Sequence, residues 1–267
     1  MKIGVMARNT LASLLRNQLI VLFCTGFLCV VLLLMTPMLA ARSMANTVGP
    51  GQTEGMVLGI LSAIMSLVSG FGSLLAAWAA VDVVASEMRS GTILAVMARP
   101  VRRWEFLLGK YLGVQLLMAV YVLGMFGLSY LLAWMGGEKI QSTIWVLLVY
   151  PLVRYAIYSA LAIALGTRLH PVITFATVLV ISVAASILAP STAAGALLPD
   201  WLRTALYAVL PSTELLSETR FLAITQSALH ATPWHQHCTA LAYGLNYALV
   251  CFLVAVWSFR KCSLARP

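Results

Sequence analysis

Five stretches of this chain carry no charged side chain: residues 17–41, 55–81, 111–137, 169–199 and 221–259. A helix of about 20 apolar residues crosses the roughly 30 Å hydrocarbon layer of a bilayer, so each stretch is long enough to span. Across the 267 residues, 61% are hydrophobic and 9% charged, a balance that excludes a water-soluble fold. The chain reads as a polytopic membrane protein. No period of 20–50 residues recurs and no tract is of low complexity.

The net charge of +9 is explained by orientation rather than by a nucleic-acid partner. Twelve basic residues fall on one side: Lys2, Arg8 and Arg16 before the first apolar stretch, Arg89, Arg99, Arg102, Arg103 and Lys110 between the second and third, Arg168, and Arg260, Lys261 and Arg266 at the end. The opposite loops hold Arg42, Lys139, Arg203 and Arg220 beside five acids, Glu54, Glu138, Asp200, Glu214 and Glu218. An even number of spans with both termini in the cytoplasm follows. The expected architecture is all-α: six transmembrane helices in a single domain over 1–267, at about 18–41, 55–81, 104–134, 142–166, 172–189 and 239–259. A cleaved signal peptide fits the first 41 residues less well, because their apolar run is about twice the usual 7–15-residue core.

Residues 2–16 form a basic amphipathic helix, with Ile3, Ala7, Leu11 and Leu14 along one stripe and Lys2, Asn9 and Arg16 on another. Such a helix lies flat at the membrane surface; alternatively it extends the first span. In span two, Gly55, Gly59, Ser62, Ala63, Ser66, Gly70, Ser73 and Ala77 line one face, suited to close helix packing within one subunit or between two. Segment 190–238 is apolar but broken by Pro190, Pro199, Pro211 and Pro233. Its fragments are too short to cross, so they lie in the outer interface or dip in and return.

The most polar internal segment runs from Asp82 to Lys110. Gly91 allows a sharp turn, residues 92–98 are apolar, and Pro100 biases Arg99 away from helical geometry and opens a new helix. An ordinary positive loop also fits this pattern. The segment resembles the cytoplasmic loop of type 2 ATP-binding-cassette (ABC) exporter permeases, on the residues Glu87, Gly91, Thr92, Arg99, Pro100, Arg103, Gly109 and Lys110. The resemblance implies that segment 86–100 is a coupling helix docking on a separate ATPase subunit, which would hold ATP and Mg. It further implies a permease subunit that forms the translocation path, works outward, and pairs with a second copy in the bacterial cytoplasmic (inner) membrane. Segment 190–238 would match the re-entrant helices of that family, and a periplasmic partner is compatible with it. No phosphate-cradling loop is expected here, because Gly109-Lys110 is followed by Tyr111 and Trp104 stands where the first glycine would be. The chain is therefore not expected to be an enzyme or to hold a cofactor.

Arg154 is the one charge deep inside an apolar span. Burying it costs about 2.5–3.5 kcal/mol on the insertion scale, so it should face the bundle or a wet cavity, assisted by Tyr150, Tyr155 or Tyr158. Either it holds unwound backbone near Pro151, or it contacts an anion or headgroup on the transport path. His230, His235, His237 and Cys238 are the weak metal candidates. Interface histidines beside Trp234 account for them more simply, although the resembled family has a branch serving copper-enzyme maturation. Five cysteines, three of them in spans, make no disulfide framework. The rival classes are weaker. An ion-coupled transporter or channel needs acids at the membrane midplane, and an intramembrane serine protease built on Gly70-Phe71-Gly72-Ser73 would have no histidine within reach.

Overall fold

The computed structural model describes residues 2–43, 50–90, 102–135, 144–187 and 234–261, with a few positions between 199 and 216. Among these there is no strand. Seven long helices carry the fold: α1 (Lys2–Arg16), α2 (Gln18–Ser43), α3 (Pro50–Ser90), α4 (Arg103–Met135), α5 (Ile144–Gly166), α6 (Pro171–Ile187) and α7 (Trp234–Lys261). Helix is the expected outcome for an apolar chain in lipid, where no water is available to satisfy backbone N–H and C=O groups.

Four segments are long and apolar enough to cross a membrane: Ser66–Ser86, Trp104–Leu128, Leu148–Gly166 and His237–Phe259. The pair formed by α1 and α2 makes a fifth candidate, bent by 69°. Helix α6 is apolar but shorter, at 17 residues. The multi-pass, all-helical class is thus as expected. Two bounds differ from the sequence expectation. Helix α3 runs 41 residues, or about 61 Å at 1.5 Å per residue, so it outreaches the hydrocarbon layer. Helix α7 begins at Trp234, so His235, His237 and Cys238 belong to it and not to a preceding outer segment.

Asn17 makes the elbow between α1 and α2. Its N–H closes the last turn of α1 on Leu14 O at 3.1 Å, and its carbonyl accepts the first amides of α2, from Ile20 and Val21. Its side-chain amide donates to Asp82 Oδ2 on α3 at 2.9 Å, which ties the elbow to the bundle. Helix α1 is therefore no straight extension of α2. It packs mainly on α4. Ala7, Thr10 and Leu14 are buried, while Arg8, Asn9 and Arg16 are exposed, so the amphipathic stripe is used as its sequence pattern requires. The seat is made by two glycines of α4. A Cβ at Gly109 would stand 2.7 Å from Met6 Cβ, and one at Gly113 would stand 2.5 Å from Thr10 Cβ and 3.0 Å from the Ala7 carbonyl. No side chain fits there without moving a helix. Gly113→Val is accordingly expected to unseat α1. Measured as maleimide labelling of an Ala7→Cys reporter, which is buried when α1 is seated, reactivity should rise several-fold.

Helices α3 and α5 form the centre. On α3, Val68, Leu75, Ala76, Ala79, Ala80 and Val83 are buried, a heptad-like stripe of small and branched residues. Phe27 of α2 stacks on Phe71 at 4.4 Å, and Phe175 of α6 meets Trp78 edge-on at 5.4 Å. Helix α7 packs mainly on α5. Its contact face is again small, with Ala240, Gly244, Ala248 and Ala255 buried. A side chain at Gly244 would overlap Val153 and press on Leu216, which reaches the bundle from the segment between α6 and α7. Two bonds secure that approach: Ser212 N–H to the Tyr243 hydroxyl at 3.0 Å, and the Tyr247 hydroxyl to Val209 O at 3.0 Å.

Helix α4 starts at a capped turn. Glu105, three residues after the cap residue Arg102, accepts the Arg102 N–H at 3.1 Å, while the Arg102 carbonyl accepts from Glu105 and Phe106. The helix that follows the motif segment in sequence thus begins with a fixed first turn.

Candidate functional site

Three tyrosines of α5 are almost fully buried, and each finds its partner on a different helix. Tyr150 places its hydroxyl 2.9 Å from His237 Nδ1 on α7. Tyr155 donates to the Ser69 carbonyl on α3 at 3.4 Å, and Tyr158 accepts from Ser182 on α6 at 3.1 Å. Buried hydroxyls must be paired because leaving one unpaired in an apolar medium costs kcal/mol. The result is a central helix tied in three directions. A fourth tie joins α4: Gln115 donates to Ser159 at 2.6 Å, and the Tyr111 hydroxyl donates to the Ala156 carbonyl at 3.2 Å.

Arg154 lies within this network. Its Nη1 donates to Ser69 Oγ at 2.8 Å, and Ser69 is 1% exposed. Side chain and carbonyl of one serine are therefore held by two consecutive residues of α5. Tyr121 of α4 adds a bond to the Val68 carbonyl at 2.9 Å. Where Tyr121 and Tyr155 cross α3 the residue is Gly72, and a Cβ there would overlap the Tyr155 ring end and come 2.8 Å from the Tyr121 ring. Arg154 sits 12 residues from the end of α5, which is about 18 Å along the axis.

The reading in which Arg154 braces unwound backbone at Pro151 is not what the structure has. Helix α5 continues through Pro151. The guanidinium reaches across to α3, so it braces a neighbouring helix. Of the three tyrosines expected to assist, Tyr155 shares its partner Ser69.

The expected small-residue face of α3 also divides. Ser73 and Ala77 are buried, but Ser66 is exposed and Gly70 has open space beside it. Close packing uses the neighbouring stripe through Val68 and Gly72. Ser69, Tyr121 and Gln115 were not singled out by sequence, and Gly72 enters only as part of Gly70-Phe71-Gly72-Ser73, although the 68/72/75/79 spacing includes it.

For the loop motif, Glu87 lies in the last turn of α3 and Arg103 is the first residue of α4; Gly91, Thr92, Arg99 and Pro100 lie outside the described residues. Gly109 is the seat of α1. Lys110 places its ammonium over the Phe106 ring at 5.6 Å, and that ring stacks on Phe259 of α7 at 6.3 Å. Both ends of the motif are thus anchored in rigid helices.

The histidines do not converge. Helical geometry turns His237 inward to Tyr150, where it is 7% exposed, while His235 and Cys238 remain exposed. This corrects the expectation of plain interface histidines: His237 is a bundle residue. His230 lies outside the described residues, and among those described no three His, Cys, Asp or Glu side chains gather as a metal site.

Compared with protein-family models, residues 7–264 match the one described as ABC-2 family transporter protein. A comparison with curated proteins finds no match.

Proposed function

From its membership of the ABC-2 family of transporter proteins, which makes this chain the permease subunit of an ABC transporter, we propose that it works as an exporter driven by a separate ATPase. The observation that carries the reading is the family match over nearly the whole length of a multi-pass helical chain. Six crossings of the bacterial inner membrane are proposed, α2 to α7, with α1 lying along the cytoplasmic surface and both termini in the cytoplasm. The distribution of Lys and Arg supports that orientation. Segment 86–100 is the proposed handle for the ATPase, which supplies ATP and Mg. This chain itself catalyses nothing in the proposal, and a second copy completes the path.

The physical support for coupling is mechanical. A docked loop moves a pore only if its ends are stiffly joined to the helices that must move. Here one end leaves the long helix α3 and the other enters the capped first turn of α4, which α1 clamps at Gly109 and Gly113. Displacement at the loop would be carried to the Gly72–Tyr155 crossing as tilting of packed helices.

Co-purification with the ATPase encoded by the adjacent reading frame tests this. Glu87→Ala, or Arg99→Ala with Arg103→Ala, is expected to lower partner recovery by about tenfold or more, as loss of an interface hot spot does. Undiminished recovery with both variants would remove the coupling assignment.

A further inference from the structure

The short turn between α5 and α6 holds an arginine in a fixed pose. Arg168 donates through Nε to Ser258 Oγ of α7 at 2.9 Å, and its guanidinium lies over the Trp257 ring, 5.8 Å from the centroid. Thr167 and Ser258 form one connected set of hydrogen bonds with Arg168. Thr167 Oγ1 donates to the Ala164 carbonyl at 2.9 Å, which uses its single hydrogen. With that hydrogen committed, it is placed to accept from Ser258, 2.8 Å away. With its own hydrogen given to Thr167, Ser258 Oγ accepts the Arg168 Nε–H. Thr167 and Ser258 are both buried, so this relay is part of the packed structure and not a surface accident.

Held by Nε and by the indole face, Arg168 is nonetheless exposed, and its two terminal amines meet no hydrogen-bond partner among the described residues. A planar fork of N–H donors with fixed direction matches two oxygens of a phosphate or carboxylate. The surroundings select between them. Trp257 is 55% exposed, and Leu169, Val172 and Ile173, which follow Arg168 in the turn and the first residues of α6, are exposed as well. Indole and aliphatic side chains next to a cation are the pattern of a membrane–water boundary, where acyl chains cover the apolar groups and the headgroup meets the charge.

We infer that the Arg168–Trp257–Ser258 cluster is a binding site for the phosphodiester of an acidic phospholipid, seated at the α5–α6 turn. The site needs no transport activity, so its fate is separate from that of the coupling assignment. Its occupant would fix the end of α7 against the turn that joins α5 to α6, at the membrane boundary.

The test uses the full chain in nanodiscs of phosphatidylcholine with a minor fraction of phosphatidylglycerol, and counts retained lipids by native mass spectrometry. Wild type should retain phosphatidylglycerol in preference to phosphatidylcholine. Arg168→Gln is expected to lower that retention about fivefold, in line with about 1 kcal/mol per basic residue at an anionic surface. Arg168→Lys and Ser258→Ala should lower it too, because each keeps the charge but loses the fixed fork. Ser258→Ala removes one buried hydroxyl only and serves where Arg168 variants fold poorly. Arg8→Gln, which deletes an exposed cation on α1, should retain as much lipid as wild type. Equal retention of both lipids by wild type, wild-type retention by Arg168→Gln and Ser258→Ala, or an equal fall in Arg8→Gln overturns the proposal. So does loss of the ATPase subunit from Arg168→Gln with lipid retention unchanged, since the fork would then serve a protein contact.

Discussion

Gly72→Val is expected to lower the stability of the solubilised protein by about 3 kcal/mol or more, the upper part of the range for overpacked cores. The cause is local and one-sided. A Cβ at this position overlaps the Tyr155 hydroxyl end and crowds the Tyr121 ring, and Tyr155 is 0% exposed, with no space to swing into. Both tyrosines are also tied to carbonyls of α3, so moving either ring forfeits a buried hydrogen bond. Gly70→Ala, two residues away and beside open space, should leave thermal unfolding unchanged or raise it slightly, since alanine is the better helix former. A coupled test sharpens the point. Tyr155→Phe removes the atom that a new side chain meets first, so Gly72→Ala with Tyr155→Phe should be less damaging than the two single changes summed. Additive losses would show that the crossing is looser than described.

How much of this was legible beforehand depends on the kind of physics involved. Charge-free runs translate into helices because lipid leaves the backbone no alternative, so the class and most helix positions follow from composition and spacing alone. Which face of a helix touches which neighbour does not follow, because inside a bilayer small and large apolar residues differ in packing and hardly at all in solvation. Helix α3 illustrates it. Two small-residue stripes run side by side, and nothing in the residue types favours Val68–Gly72 over Ser66–Gly70. The tyrosines of other helices decide, and their approach is a tertiary fact. Gly109 is a similar case. Its place in the loop motif drew attention to coupling, while its demonstrable contact is with Met6 of α1.

The candidate site was half legible. A lone arginine among apolar residues is conspicuous because its cost demands an explanation. Its partner is not, because a serine in a membrane helix commonly bonds its own backbone, as Ser73 does to Gly70 at 2.6 Å. The histidine run misled for a periodicity reason. Residues 235 and 237 share a face in an extended segment and lie on opposing sides of a helix, so the start of α7 at Trp234 settles their separation. The turn cluster at Arg168 had no sequence signal beyond one basic residue, since Ser258 and Trp257 are some 90 positions away.

Arg154→Gln is expected to leave folding intact and to lower transport by about tenfold or more. Glutamine keeps the polar character of the side chain and loses its charge. Its amide keeps a neutral hydrogen-bond donor on the α3-facing side of α5, two bonds short of the Nη1 that meets Ser69 Oγ, while the positive charge is gone. Insertion should not suffer, because a charge at this depth costs about 2.5–3.5 kcal/mol that a neutral side chain largely avoids. A purely structural arginine therefore predicts normal transport in this variant. An arginine that meets an anionic part of the cargo predicts loss of a charge-assisted hydrogen bond, worth about 1.5–3 kcal/mol and hence a factor of ten or more. Arg154→Lys separates charge from geometry: it should recover part of the activity if charge matters most, and none if the two-pronged guanidinium is required. ATP turnover of the reconstituted complex, measured with transport in the same liposomes, distinguishes the two losses. Falling transport with sustained ATP hydrolysis places the defect at the path, whereas a parallel fall places it in the coupling between α5 and the α3–α4 loop.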